Sequence, residues 1–376
     1  MQVACVVACA TAPAAAAASG FVVGAAEDAP KQSDPVLAKA KMDLAQLAGL
    51  DAVRITTLWT PHHWAPSDAE AAALQNAAAA ASLDGIRLFV SIYPAGGRST
   101  PQTPMQRAAF ASYAAAVARL LPTVHDFIVG NEPNLNRFWM PQFDKAGDDV
   151  AAESYEAVLA MTYDVLKAVD PRIRVIGGAV SPRGGDRPGT ARPTHSPSTF
   201  IPDLGRAYRA SGRTKPIMDA FAFHPYLESS RLPPTFRHPR STTVAINDYE
   251  KLGGLLAKAF SGTAQPWSRL PILYDEFGVQ STVSGPRVGA YTDTAATAAN
   301  DAVPESVQAA YYVQALRLAR CQRNVMGLFF FHVSDEADLA AWQSGLYYAD
   351  DEPKSSLPPV RAAALAAHAG KPIRCA

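Results

Sequence analysis

Two glutamates stand out by what precedes them. Glu132 ends the run Ile128-Val129-Gly130-Asn131-Glu132-Pro133, and Glu276 sits in Leu273-Tyr274-Asp275-Glu276-Phe277-Gly278. Each follows a short β-branched or aromatic stretch of the kind that forms a buried strand, so each carboxyl group is expected at a strand terminus. If a fold brings both to one cleft, one can protonate a leaving oxygen while the other attacks an anomeric carbon or activates water. Hydrolysis of a glycosidic bond needs such a pair. Asp275, adjacent to Glu276, is expected on the opposite face of its strand and in a structural role.

The elements that must position these groups alternate along the chain. Strand-like runs cover 21–25, 52–58, 87–93, 126–132, 174–179, 220–226, 272–277 and 325–332. Between them lie helical segments, several opened by recognisable start signals: Asp34-Pro35, a Ser67 and Glu70 capping box, and Thr103-Pro104, with Gly49 and Gly85 as stops. Later helices are expected at about 148–169, 198–211, 243–261, 304–323 and 356–369. Eight strands alternating with eight helices point to an α/β fold, a single (β/α)8 TIM barrel, over an open doubly wound sheet. Helix-to-strand connections are short and strand-to-helix connections long, as in 134–147, 180–197, 227–242, 279–303 and 333–355. Long loops at one end only are what builds a substrate site at the C-terminal face of the strands, where strands four and seven face one another.

The 376 residues carry 34 basic and 34 acidic side chains, a formal net charge of zero. That balance removes the attraction that nucleic acid or an anionic membrane would exploit. Residues 1–19 are apolar, Ala-rich and uncharged, resembling a secretory leader with small residues at Ala16 and Ala18 for cleavage, although no Lys or Arg precedes the apolar run. Residues 20–376 would then be the catalytic barrel of a secreted protein. Cys5 and Cys9 fall in the leader. Cys321 and Cys375 fall at the same end of neighbouring helices and are expected to form a disulfide in an oxidising compartment.

Val129-Gly130-Asn131-Glu132-Pro133-Asn134-Leu135 followed by Phe138-Trp139 resembles the fourth-strand motif of clan A glycoside hydrolases, and in its NEPN…FW form is most similar to family 39, with family 5 next. Arg54 in Val53-Arg54-Ile55 and the run Phe223-His224-Pro225-Tyr226 are similar to positions used in both families. The resemblance implies a retaining glycosidase with Glu132 as general acid/base and Glu276 as nucleophile, their carboxyl groups roughly 5 to 5.5 Å apart. It also implies that Asn131 bonds the hydroxyl beside the anomeric carbon, that Arg54 keeps Glu276 ionised, and that His224 or Tyr226 helps position it. Two positions depart from family 5: Tyr93 stands where a His is usual on strand three, and His332 where a Trp is usual on strand eight. Trp342, in the following loop, is expected to supply the missing indole.

Trp59, Trp64, Phe138, Trp139, Tyr291 and Trp342 fall on or beside the long loops, where aromatic planes can stack on the apolar faces of sugar rings; Trp342 and Trp139 are favoured for this. Glu27 and Asp28 read as turn or capping residues. His62-His63 point apart and no HxH pair lies on strand one, so no metal site is expected. No GxSxG elbow, P-loop or GxGxxG preceding a helix is present, and no cofactor is expected. The sequence thus supports a secreted, exo-acting retaining glycosidase with an oligosaccharide or polysaccharide substrate. An endo-acting glycanase and a non-catalytic carbohydrate-binding barrel are the alternatives.

Overall fold

A computed structural model describes residues 20–293 and 299–375. The leader-like segment, with Cys5 and Cys9, lies outside them. The strands β1 (Val22–Ala26), β2 (Ala52–Trp59), β3 (Arg87–Pro94), β4 (Asp126–Val129), β5 (Arg174–Val180), β6 (Ala220–Phe223), β7 (Ile272–Phe277) and β8 (Val325–Phe330) close in chain order into a parallel barrel. Helices α1 (Pro35–Leu47), α2 (Asp68–Asp84), α3 (Pro104–Leu120), α4 (Ala151–Val169), α5 (Pro197–Ala210), α6 (Tyr249–Phe260), α7 (Glu305–Cys321) and α8 (Leu357–His368) surround it. This is the (β/α)8 architecture that the alternation predicts. No described helix is long and apolar enough to cross a membrane.

Two apolar layers hold the barrel. Alternate strand residues such as Ala52, Ile128, Ile176, Ala222 and Leu273 fill the interior, where Phe89 meets Phe329 edge-on at 4.9 Å. The intervening residues pack outward against the helices. Helix starts follow the expected caps: Asp34 accepts from the Val36 N–H at 2.8 Å, and Thr103 and Gln106 form a reciprocal box. At α2 only half of the predicted box forms. Ser67 accepts from the Glu70 N–H, whereas the Glu70 carboxylate pairs with Lys31 at 3.0 Å.

Three strands end sooner than expected, and each shortening occurs at the mouth. β4 stops at Val129 because Gly130 (φ +92°) and Glu132 (φ +39°) turn the backbone off the ladder. A Cβ on Gly130 would lie 2.7 Å from the Tyr155 ring, so only glycine fits there. β6 ends at Phe223 and β8 at Phe330, leaving His224, Tyr226 and His332 on the loops that follow. α6 begins at Tyr249 rather than near 243, since Asp248 bonds the His238 and Ala245 N–H groups and holds that stretch as a loop.

Cys321, at the end of α7, is bonded to Cys375 beyond α8, as expected. The bridge closes a sequence separation of 54, for which loop entropy gives about 4 kcal/mol. Reduction, or Cys321→Ser with Cys375→Ser, is therefore expected to lower the melting midpoint by roughly 5 °C. An unchanged calorimetric midpoint would show that the tail contributes nothing to stability.

Candidate active site

The long loops enclose a cavity of about 900 Å³ at the C-terminal mouth of the barrel, lined by Glu132 from the end of β4 and Glu276 from β7. Glu132 is carried by the turn after β4, where its N–H bonds the Ala179 carbonyl at 2.7 Å. From α4, the Tyr155 hydroxyl donates to the Val129 carbonyl and accepts from the Gly178 N–H, both at 2.7 Å, joining the ends of β4 and β5. Buried Asn134 completes the clamp, accepting from the Ser181 N–H at 2.9 Å and donating to the His195 carbonyl at 2.8 Å.

Glu276 is held by three groups. Arg54 Nη2 donates to Oε1 at 2.6 Å, Tyr226 donates its hydroxyl to Oε2 at 3.1 Å, and His224 Nδ1 lies 3.4 Å from Oε2. The same His224 nitrogen lies 3.1 Å from Glu132 Oε1. Since a separation cannot exceed the sum of those two distances, the two carboxylate oxygens lie at most about 6.5 Å apart. Beneath them Asp275 accepts from Arg54 Nη1 at 2.9 Å and approaches His224 Nε2 at 3.3 Å, without hydrogen-bond alignment to the ring.

This placement corrects the expectation for Asp275. It turns into the barrel interior under Glu276, and both carboxylates share Arg54. The register of β7 against β8 shifts between Tyr274 and Phe277, and this irregularity breaks the simple alternation of faces.

Electrostatics bind the cluster together. Burial alone would push the His224 imidazole down, but Glu276 and Asp275 outweigh it and push the ring up to about 10. Burial works to raise Asp275, yet His224 and Arg54 hold it below the ordinary carboxylate range. The Tyr226 phenol is raised well above its usual value by burial and by the two glutamates, and so remains a donor. Removing one member of a buried charge network leaves its partners unpaired, at a typical cost of 3 to 5 kcal/mol. Arg54→Met is expected in the middle of that range, about 4 kcal/mol by denaturant titration, because Glu276 retains Tyr226 and His224 while fully buried Asp275 loses its one aligned hydrogen bond. A loss below about 1 kcal/mol would contradict this reading of the network.

The other expected site residues divide into two groups. Arg54, Tyr93, Asn131, Tyr226, His332 and Trp342 line the cavity, and His224 lies fully buried just beneath it. Asn131 is 4% exposed, and its Oδ1 meets no donor among the described residues. Trp342 packs 5.5 Å from both Tyr226 and Phe331, with its ring partly open to solvent. His332 bonds the Ala26 carbonyl through Nδ1 at 2.6 Å and Glu336 through Nε2 at 3.2 Å.

Trp59 and Trp139 do not reach the cavity, contrary to expectation. Both indoles are fully buried. Trp59 donates to the His63 carbonyl and packs on Phe110; Trp139 donates to Ser154 Oγ and packs edge-on against Tyr155. Stacking on a sugar is closed to them, and Trp139 acts on the site only by supporting Tyr155. Tyr291 is likewise buried, donating to Asp335, and Trp64 is exposed away from the cavity, whereas Phe138 lines it. Glu27 and Asp28 border the cavity but accept from backbone N–H groups of Ala29, Val333, Ser334 and Thr56, as turn residues do.

Arg137, Arg183, Glu228 and Glu336 also line the cavity and were not singled out by the sequence. They lie on long loops without periodicity. Only the rule that such loops crowd the C-terminal face pointed toward them.

No protein-family model matches the chain, and no curated protein matches it either. Solved structures do. A family 39 glycoside hydrolase from Bacteroides cellulosilyticus WH2 superposes with a TM-score of 0.63 at 20% identity, covering 92% of this chain and 64% of that one. A monomeric beta-xylosidase from Caulobacter crescentus CB15 gives 0.54 at 19%, covering 91% and 67%. A GH5_18 enzyme from Streptomyces cattleya, in complex with GlcNAc, gives 0.60 at 16%, covering 94% and 82%. The chain spans about two thirds of the length of the family 39 structures. The chain thus shares its (β/α)8 barrel fold with these glycoside hydrolases.

Proposed function

We propose that the protein is a glycosidase that cleaves O-glycosidic bonds with net retention of configuration. The observation that carries this reading is the convergence of Glu132 and Glu276 on one nitrogen of His224 at the floor of a cavity of about 900 Å³. A bound of about 6.5 Å between their oxygens suits a retaining pair, about 5 to 5.5 Å apart, better than an inverting pair, at about 6.5 to 9.5 Å.

In this mechanism Glu132 protonates the departing glycosidic oxygen while Glu276 attacks the anomeric carbon, giving a covalent glycosyl-enzyme. Glu132 then takes a proton from water as that water displaces Glu276. Arg54 and Tyr226 fix the attacking carboxylate, and the free Asn131 Oδ1 accepts from the hydroxyl beside the anomeric carbon. Trp342 offers the apolar face for the sugar ring. Walls from the loops after β5 and β6 favour action at chain ends. The leader-like composition of residues 1–19 and the disulfide support secretion.

Screening nitrophenyl glycosides, with NMR of the first-formed product anomer, tests the proposal. Turnover with product of the same anomeric configuration as the substrate is expected. First-formed product of opposite configuration would overturn retention, and no hydrolysis of any glycoside would overturn the enzyme reading.

A further inference from the structure

The loop from β6 to α6 carries a relay of side chains that ends in the cavity. Glu228 lines the cavity wall two residues beyond Tyr226, its side chain 37% exposed. Its Oε2 faces His238 Nε2 at 2.9 Å, and the other ring nitrogen, Nδ1, faces Asp248 Oδ2 at 2.7 Å. Asp248 is anchored in turn by the N–H groups of His238 at 2.8 Å and Ala245 at 3.0 Å. From α6, Lys251 Nζ donates to the carbonyls of His238 at 3.1 Å and Thr243 at 2.8 Å. The imidazole is thus held at both ends, and Glu228 with it.

A surface carboxylate needs no such buttress to remain in water; one that must meet a ligand in a fixed direction does. Burial works to raise the Glu228 carboxyl, but its own backbone N–H, His238 and Arg183 hold it below the ordinary range, so it is an acceptor only. Its Oε1 receives no side-chain hydrogen bond among the described residues. Arg183, which also lines the cavity, has a buried Nη1 without a partner among the described residues. Acceptor and donor therefore line the same cavity, and no hydrogen bond or ion pair joins them directly among the described residues. A sugar hydroxyl, which donates once and accepts as well, fits between such groups.

We propose that Glu228 and Arg183 form a hydroxyl-recognition site in the cavity wall, Glu228 accepting from and Arg183 donating to one sugar unit, with His238 as the positioning residue for Glu228. This rests on the glycosidase reading and narrows its substrate: the unit at this wall carries a free hydroxyl that donates to Glu228, so a sugar deoxygenated or blocked at that position is a poor substrate.

The test uses the nitrophenyl glycoside that the full chain hydrolyses best, together with its monodeoxy derivatives. Glu228→Gln is expected to lower kcat/KM about 10- to 100-fold on the parent, chiefly through KM, the loss typical of a hydrogen bond to a charged group. On one monodeoxy derivative, already impaired with the unaltered protein, the same substitution is expected to cost less than about threefold, since the hydroxyl it would serve is gone. His238→Phe should reproduce the parent-substrate loss and His238→Gln, which keeps a donor, should recover most of it, with melting midpoints establishing that each variant is folded. Glu228→Gln at full activity, or equally impaired on every member of the series, would overturn the assignment. If the unaltered protein hydrolyses a glycoside with retention and these variants are indifferent, this inference alone fails. If it hydrolyses none, both readings fail together.

Discussion

Glu276→Ala is expected to reduce turnover by about 10⁴-fold or more, equivalent to roughly 5 kcal/mol or more of lost transition-state stabilisation. The magnitude follows from the role: without the carboxylate no glycosyl-enzyme forms, and the covalent route closes. The fold should survive, because Arg54 keeps its bond to Asp275 and Tyr226 remains packed between Phe331 and Trp342. The space vacated by the side chain lies beside the anomeric carbon, so added azide should enter it and attack. The expected product is a glycosyl azide with the anomeric configuration opposite to that of the substrate, detected by NMR. Undiminished hydrolysis by the folded variant would remove Glu276 from the nucleophile's role.

Glu132→Ala should show a different signature, one that depends on the leaving group. Protonation by a positioned acid contributes about 10²- to 10⁴-fold, but only where the departing oxygen needs a proton. On an alkyl or sugar leaving group kcat/KM should fall by that factor. On a dinitrophenyl glycoside, whose phenolate departs unaided, the first step should stay within roughly tenfold of normal, leaving the second step slow for want of a base. Azide, which needs no base, should then restore kcat on the activated substrate. Equal losses across leaving groups would contradict the acid assignment. The Tyr155 clamp adds a structural counterpart: its hydroxyl bonds only backbone groups, at Val129 and Gly178, so loss of that hydroxyl should disturb where Glu132 sits without altering what it is.

How much of this could be read beforehand differs by residue. The alternation of strands and helices, the barrel and the placement of both glutamates at strand ends follow from periodicity and caps, which are local properties of the chain. Strand limits did not. β4 ends at Val129 because of two left-handed residues, and a composition that still reads as strand through Glu132 does not reveal them. Trp59 and Trp139 show a second limit: residue type marks an indole as able to stack on a sugar, yet the direction it faces is set by packing on Phe110 and Tyr155. Asp275 shows a third, since strict alternation fails where the ladder shifts register. Glu228, His238 and Asp248 were illegible for a simpler reason. They meet within an irregular loop, where spacing carries no directional information.

The central claim is that Glu276 becomes covalently attached to the sugar during turnover. The most direct test is a 2-deoxy-2-fluoro glycoside with a dinitrophenyl leaving group, built on the sugar selected by the nitrophenyl panel; the fluorine slows the second step and lets the intermediate accumulate. The account predicts that the protein mass rises by one fluoro-glycosyl unit and that the modified peptide carries it on Glu276. A label on any other residue, or stoichiometric dinitrophenol release with no change in mass, would contradict it.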